Sequence, residues 1–154
     1  MEHSLVNSFA NRLNSICPLD IRHVPKEGLA LEEGDVFICS TSCRLREENK
    51  RFFLETTTPA TPTYNPQIDL LFESSVPYSD RITMLCILLT GIGEDGARGM
   101  LMLRENGVHT IAESESSAIV YGMPRSACEM GAATECLPLN EIIDAILRFD
   151  QHHV

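Results

Sequence analysis

The apolar residues of this chain recur at two different spacings, which alternate along its length. Helical spacing, with apolar side chains three or four residues apart, predicts helices over 4–14, 66–75, 96–105 and 124–130 and a last helix capped by Asn140. Shorter apolar runs predict strands or extended segments over 18–24, 35–40, 51–55, 82–89, 108–112 and 135–137. Strands that alternate with helices imply an α/β fold with a doubly wound, mostly parallel sheet. The chain has 154 residues, 44% of them hydrophobic, so we expect a single domain over 1–154.

The most informative segment is 84–97, where an apolar strand runs into a glycine-rich turn with two carboxylates and then into a helix. In α/β proteins such a turn lies at the C-terminal edge of the sheet, where binding and catalytic groups are found. Glycines permit backbone torsions and close approaches that side chains forbid, and Asp95 is placed to cap the following helix. The loop 91–96 is therefore the first candidate site.

Two interpretations compete for this loop. Residues 91–96 fit the pattern G-x-G-x-x-G of dinucleotide-binding loops, and Glu113 ends the next predicted strand, where an acid that binds ribose belongs. However, Glu94 and Asp95 lie where such a loop aims backbone N–H groups at a pyrophosphate, so the anion would be repelled. An acid at the end of a strand is better suited to orient a histidine, as the third member of a hydrolase triad.

Three blocks of sequence carry a resemblance to a known family. They are LTGIGEDGA at 89–97, VYGMPRSA at 120–127 and GAATECLPL at 131–139. Together they resemble the catalytic domain of the chemotaxis methylesterase CheB, whose loop reads threonine-glycine-methionine-glycine-x-aspartate-glycine-alanine and is followed by a glycine-methionine-proline loop. Weaker matches at 65–74 and 8–13 extend the resemblance over nearly the whole chain.

The resemblance implies a chemistry and a set of site residues. CheB enzymes hydrolyse glutamyl methyl esters on methyl-accepting chemotaxis receptors, and some deamidate receptor glutamines, through serine attack and an acyl-enzyme. By this resemblance Asp95 is the catalytic acid that fixes the histidine tautomer, although a plain helix cap would look the same in sequence. Ile92 replaces the usual methionine but keeps the backbone N–H that helps bind the oxyanion, and Glu113 replaces a frequent glutamine. The active-site loops would consist of Gly91, Ile92, Gly93, Gly96, Gly122, Met123 and Pro124.

Two segments of the family pattern are absent from this sequence. The family's nucleophile lies in a serine-threonine-glycine-glycine loop and its base in a glutamine-histidine-methionine segment. Aligning Ser8 and Phe9 with the family's early helix places Met1 on the methionine that directly follows the catalytic histidine, so both catalytic residues would precede Met1. His3 comes two positions too late to replace the base. The run Ser40–Cys43 offers nucleophilic residues after a strand but fits a polar turn better, and His23 shows no catalytic or metal spacing. We therefore expect an N-terminally incomplete methylesterase domain that is inactive as this chain and has no receiver domain.

Three functions remain open from the sequence. The first is a hydrolase domain, and the second is a non-catalytic module, derived from the same family, that binds receptors or other signalling proteins. A dinucleotide-binding oxidoreductase domain is a distant third. Neither of the first two needs a metal or an organic cofactor, so we expect none.

Composition and charge limit the classes of binding partner that we expect. Lysine and arginine total 12 against 22 aspartate and glutamate, a net charge of −10, and no basic patch recurs, so we expect a protein partner and no nucleic acid. No segment has the length and apolarity of a membrane span. The six cysteines form no C-x-x-C pair, and the acidic N-terminus lacks a secretory pattern, so we expect reduced thiols and a cytoplasmic location.

Because the expected fold lacks strands, we also expect self-association through an uncovered sheet edge, with the 5–13 helix displaced or docked on a neighbour.

Overall fold

A computed structural model describes residues 3–59 and 64–153. The chain divides into two compact units, one ending at Leu71 and the other beginning at Phe72. Among the described residues, the helices are all too short or too polar to span a bilayer.

The first unit combines a helix with two small sheets. Its elements are α1 (His3–Asn14), β1 (Asp20–His23), β2 (Leu29–Ala30), β3 (Asp35–Ile38), β4 (Cys43–Glu48), β5 (Arg51–Thr56) and the first half of α2 (Ile68–Ser75). Strands β1 and β3 pair in parallel, whereas β2, β5 and β4 form an antiparallel sheet in that order. The core of this unit contains Val24, Cys43 and Leu54.

Helix α1 is held against β1 of its own chain. Val6 and Ala10 are buried on one side of the helix. At its C-terminal end the Asn14 side chain donates to the Ile21 carbonyl and accepts from the Ile21 amide, both at 2.7 Å. The expectation that this helix is displaced is therefore wrong, because Val6, Ala10 and Asn14 all have their contacts within the chain.

The antiparallel sheet was not predicted. Strands β4 and β5 are joined by Asn49 and Lys50, whose positive φ angles of 52° and 64° give the tight turn of a hairpin. Strand β4 carries mostly charged side chains and thus lacks the apolar run of a strand. Its charged side chains instead form ion pairs with those of β5, as where the Arg44 guanidinium binds the Glu55 carboxylate at 3.1 Å.

The second unit holds the parallel sheet that the sequence predicted. After a short 3₁₀ helix (Val76–Tyr78) come β6 (Leu85–Leu88), α3 (Ala97–Glu105), β7 (His109–Glu113), α4 (Met123–Glu129), β8 (Glu135–Leu137) and α5 (Leu139–His153). Strands β6, β7 and β8 lie side by side in that order, all parallel. Ile111 of β7 packs with Ile142 and Ala145 of α5 in the core. The predicted α/β fold is confirmed by this arrangement.

Two helix starts differ from prediction because tertiary hydrogen bonds replace local caps. Helix α2 begins at Ile68 rather than Pro66, and the Gln67 amide before it donates to the Ser42 hydroxyl at 2.8 Å. Helix α5 begins at Leu139, so Asn140 is not its cap. The Leu139 amide donates instead to the Ser117 hydroxyl, 2.9 Å away and 22 residues earlier in the chain.

The prediction of reduced thiols is wrong for one pair of cysteines. Cys128 of α4 and Cys136 of β8 form a disulfide, with their Cα atoms 6.5 Å apart. The turn between α4 and β8 brings the two residues together, which their spacing of eight does not reveal. Cys17, Cys39, Cys43 and Cys86 are free thiols.

Candidate active-site loops

The loop after β6 exposes some of its residues and buries its aspartate. Ile92 is 82% exposed and Glu94 is also exposed, whereas Asp95 is only 4% exposed. Gly93 and Gly96 have φ angles of 87° and 89°, which side chains rarely adopt, so the turn depends on glycine at both positions. Helix α3 begins at Ala97 with Gly96 as its N-cap residue, so Asp95 lies one position before the cap, and the prediction that Asp95 caps this helix is wrong.

The second candidate loop lies directly beside the first. Gly91 and Tyr121 form an isolated parallel bridge. The Gly91 amide donates to the Val120 carbonyl at 3.0 Å, and the Gly91 carbonyl accepts from the amides of Gly122 at 3.0 Å and Met123 at 2.8 Å. Because both loops follow strands of one parallel sheet, this contact confirms the predicted placement of 91–96 beside 121–124 at the C-terminal edge.

Two glycines allow this close approach. A Cβ atom built on Gly122 would lie 2.6 Å from the Gly91 carbonyl oxygen and 3.0 Å from the Gly93 amide nitrogen, so any side chain there would collide with backbone. A Cβ on Gly91 would meet the Met123 sulfur at 2.2 Å. Met123 begins α4, and Pro124, in the first turn, is buried. The absence of a side chain at Gly91 and Gly122 thus lets the two loops lie in contact.

A buried carboxylate holds the start of both loops. Glu113, 3% exposed at the end of β7, accepts the Thr90 amide at 2.9 Å and the Ser117 hydroxyl at 2.8 Å. The Thr90 hydroxyl in turn donates to the Val120 carbonyl at 3.2 Å and accepts the Val120 amide at 2.8 Å. Glu113 therefore has partners within the protein for both of its oxygens, and the role of binding ribose is not needed to explain it.

The structure also brings together a serine and a histidine that the sequence did not connect. In the first unit, the His23 Nε2 atom lies 2.6 Å from the Ser40 hydroxyl, because β1 and β3 run parallel and both residues lie at their C-terminal ends. The imidazole can accept the hydroxyl proton, as nucleophilic catalysis requires. However, Ser40 is only 5% exposed, so the hydroxyl is closed to a substrate in this structure. No sequence spacing could have identified this pair.

Comparison with known proteins decides the family. The sequence profile described as CheB methylesterase matches residues 1–146. This chain belongs to the CheB methylesterase family. A solved structure, that of the CheB methylesterase catalytic domain from Thermotoga maritima, superposes with a TM-score of 0.84 at 26% identity, covering 96% of this chain and 79% of that one. The resemblance and the mostly parallel α/β fold predicted from sequence are thus confirmed.

Curated relatives carry an enzymatic name. A protein-glutamate methylesterase/protein-glutamine glutaminase from Carboxydothermus hydrogenoformans is 36% identical over 155 residues, and one from Cupriavidus pinatubonensis is 37% identical over 148. Each alignment covers 96% of this chain and 43% of the relative. The chain therefore spans less than half the length of these CheB proteins.

Proposed function

We propose that this chain supplies the acid and the second active-site loop of a CheB-type protein-glutamate methylesterase. The observation that carries the proposal is the buried Asp95, in a glycine-built loop that is hydrogen-bonded to the loop 120–123. A triad acid must be shielded from water and held in place, because it stabilises an imidazolium ion without taking its proton. The burial of Asp95 and the backbone hydrogen bonds between its loop and the second loop support this role.

The reaction follows from the residue types that such a site combines. A serine hydroxyl attacks the glutamyl ester carbonyl while a histidine takes its proton, methanol leaves with that proton, and water then releases the acyl group. Asp95 holds the histidine in the correct tautomer. The Ile92 backbone N–H is our candidate oxyanion donor, since the isoleucine side chain leaves that N–H in place.

The proposed substrates are methylated chemotaxis receptors, and the proposed location is the cytoplasm. Deamidation of receptor glutamines, which the names of the relatives pair with ester hydrolysis, uses the same acyl chemistry with ammonia as the leaving group. The sequence contains neither the serine-threonine-glycine-glycine loop nor the glutamine-histidine-methionine segment. We therefore propose that these 154 residues alone have no methylesterase turnover.

The decisive experiment measures methanol release from methylated receptor by the protein that the gene expresses, isolated from its own cells with an antibody to this chain. If that protein contains the serine and histidine segments, Asp95→Asn should lower kcat by about 10⁴, as in other triads. A change of an exposed acid outside both loops, Glu105→Gln, should leave kcat within a few-fold. Full activity of the Asp95→Asn protein would overturn the proposed role of Asp95.

A second function is kept because the chain itself carries only the acid of the triad. If the expressed protein proves to be these 154 residues, we propose a non-catalytic module that binds receptors or signalling proteins through the same two loops. Co-sedimentation with receptor-containing membranes, without methanol release, would be the expected result. Release of methanol that is lost in Ser40→Ala or His23→Gln would instead identify the Ser40–His23 pair as a replacement centre.

We also propose that the chain self-associates. In the described part of the chain, β6 is an edge strand of its sheet, with β7 as its neighbour. Helix α5 adds exposed apolar side chains, among them Ile143, Ile146 and Leu147 at 54%, 43% and 56% exposure. An open strand edge and an exposed apolar face both favour contact with a second copy.

A further inference from the structure

The most exposed isoleucines of the described residues lie in or next to the two candidate loops. Ile119 is 91% exposed and Ile92 is 82% exposed. Val120 and Leu89, which flank the same loops, are 43% and 41% exposed. Burying a large apolar side chain stabilises a protein by about 1.5–3 kcal/mol, and a side chain left in water does not contribute this free energy. Folding of this unit therefore does not explain the choice of isoleucine at 92 and 119.

These side chains are presented on a backbone that is already fixed. Ile92 follows Gly91, whose amide and carbonyl are both bound to the second loop, and Ile119 precedes Val120, whose amide and carbonyl are both bound to Thr90 or Gly91. A surface fixed in this way loses little conformational entropy when it binds. The four apolar residues Leu89, Ile92, Ile119 and Val120 are called the apolar rim below.

Negative charge lies next to the rim. Glu94 is exposed two residues after Ile92, and Glu115 is exposed in the loop that leads to Ile119. A glutamyl methyl ester is neutral, whereas the glutamate that hydrolysis leaves is an anion. Exposed carboxylates at this edge therefore favour the esterified side chain over the product.

We infer that the apolar rim is a substrate-docking surface that binds apolar side chains beside a glutamyl methyl ester, and that Glu94 selects the neutral ester against the free carboxylate. The inference rests on the proposed function and names the recognition step of the same site. Its occupant is a segment of the substrate protein, because the rim adjoins the Asp95 loop and the charge beside it distinguishes substrate from product.

The test measures binding rather than turnover, so its result is independent of the Asp95 experiment. The 154-residue chain is titrated into a fluorescein-labelled helical peptide rich in leucine and alanine with one central glutamyl methyl ester, and anisotropy gives Kd. Ile92→Ser and Ile119→Ser should each weaken binding about tenfold, which corresponds to about 1.4 kcal/mol. The matched control is Ile16→Ser, since Ile16 is 72% exposed but belongs to neither loop, and it should change Kd by less than about twofold.

The charge selection is tested with a second peptide in which glutamate replaces the ester. The unmodified chain should bind the ester peptide more tightly than the glutamate peptide, and Glu94→Gln should reduce that preference by about threefold, the effect of a surface charge pair. Equal effects of all three isoleucine changes, or no binding of the ester peptide, would overturn the docking surface. Far-ultraviolet circular dichroism of each variant confirms that the loss is not unfolding. The Asp95→Asn chain should still bind the ester peptide, and its binding should still be weakened by Ile92→Ser. This result would show that recognition by the rim does not depend on the catalytic role of Asp95.

Discussion

The Glu113 carboxylate accepts the backbone amide of Thr90, the residue just before the loop 91–96 that contains Asp95, at 2.9 Å. Its other oxygen accepts the Ser117 hydroxyl, which itself accepts the Leu139 amide at the start of α5. One buried side chain thus connects the ends of β6 and β7 with the start of a helix. Buried hydrogen bonds of this kind specify loop geometry, because each unsatisfied group costs about 1–3 kcal/mol.

Glu113→Ala should destabilise the chain by about 2–4 kcal/mol, since it leaves the Thr90 amide and the Ser117 hydroxyl without their acceptor. Glu113→Gln should cost less than about 1.5 kcal/mol. Its amide oxygen can accept from Thr90, and its NH₂ group can donate to Ser117. Urea unfolding measures both values. Equal costs for the two variants would show that the hydrogen bonds do not hold the loops.

The close contact between Gly122 and Gly91 predicts that a side chain at position 122 lowers stability. Gly122→Ala should cost about 2–3 kcal/mol, because its Cβ would meet the Gly91 carbonyl oxygen at 2.6 Å and backbone cannot move freely. Gly91→Ala is the matched control. Its Cβ would meet the end of the flexible Met123 side chain, so it should cost about 1 kcal/mol. Thermal unfolding of the two variants gives the comparison, and a reversed order would contradict the described loop geometry.

The cysteines should differ in reactivity. Burial raises the pKa of the Cys86 thiol to about 12, so it stays protonated and shielded at pH 8, whereas Cys17 is exposed. Iodoacetamide should label Cys17 first and Cys86 only after unfolding. In urea without reductant, mass spectrometry should find four labels, and six after reduction, because Cys128 and Cys136 are bonded. Six labels without reductant would indicate that Cys128 and Cys136 are not bonded.

The same raised pKa predicts how stability depends on alkaline pH. A thiol whose pKa is higher in the folded chain than the ordinary value of 9 binds its proton more strongly when folded. The contribution of Cys86 to stability is therefore complete below pH 9 and decreases as pH rises from 9 toward 12. Cys86→Ala should flatten this decrease in urea unfolding between pH 8 and 11. An unchanged slope would contradict the assignment.

Local pattern was enough to predict the Asp95 loop and its position, because the apolar run 85–88 and the glycines 91, 93 and 96 act within a few residues. Contacts between residues far apart in the chain could not be predicted from local sequence pattern. The Ser40–His23 pair spans 17 residues and the cap of α5 by Ser117 spans 22. Strand β4 was missed because its stability comes from pairing with β5 rather than from its own charged sequence. The disulfide was missed because a spacing of eight residues suits a helix, a turn and a strand equally well.

Self-association gives the last prediction. If the edge of β6 and the exposed face of α5 bind a second copy, sedimentation velocity should show a monomer at low concentration and a larger species as concentration rises. Ile143→Glu combined with Leu147→Glu places two charges on the exposed face and should shift the chain toward monomer without lowering its melting temperature, since both side chains are more than half exposed. Ile119→Glu is the control, because it changes an equally apolar exposed position outside α5. Loss of association in Ile119→Glu alone would move the interface to the apolar rim. A monomer at every concentration would refute self-association, and the exposed face of α5 would then need another explanation.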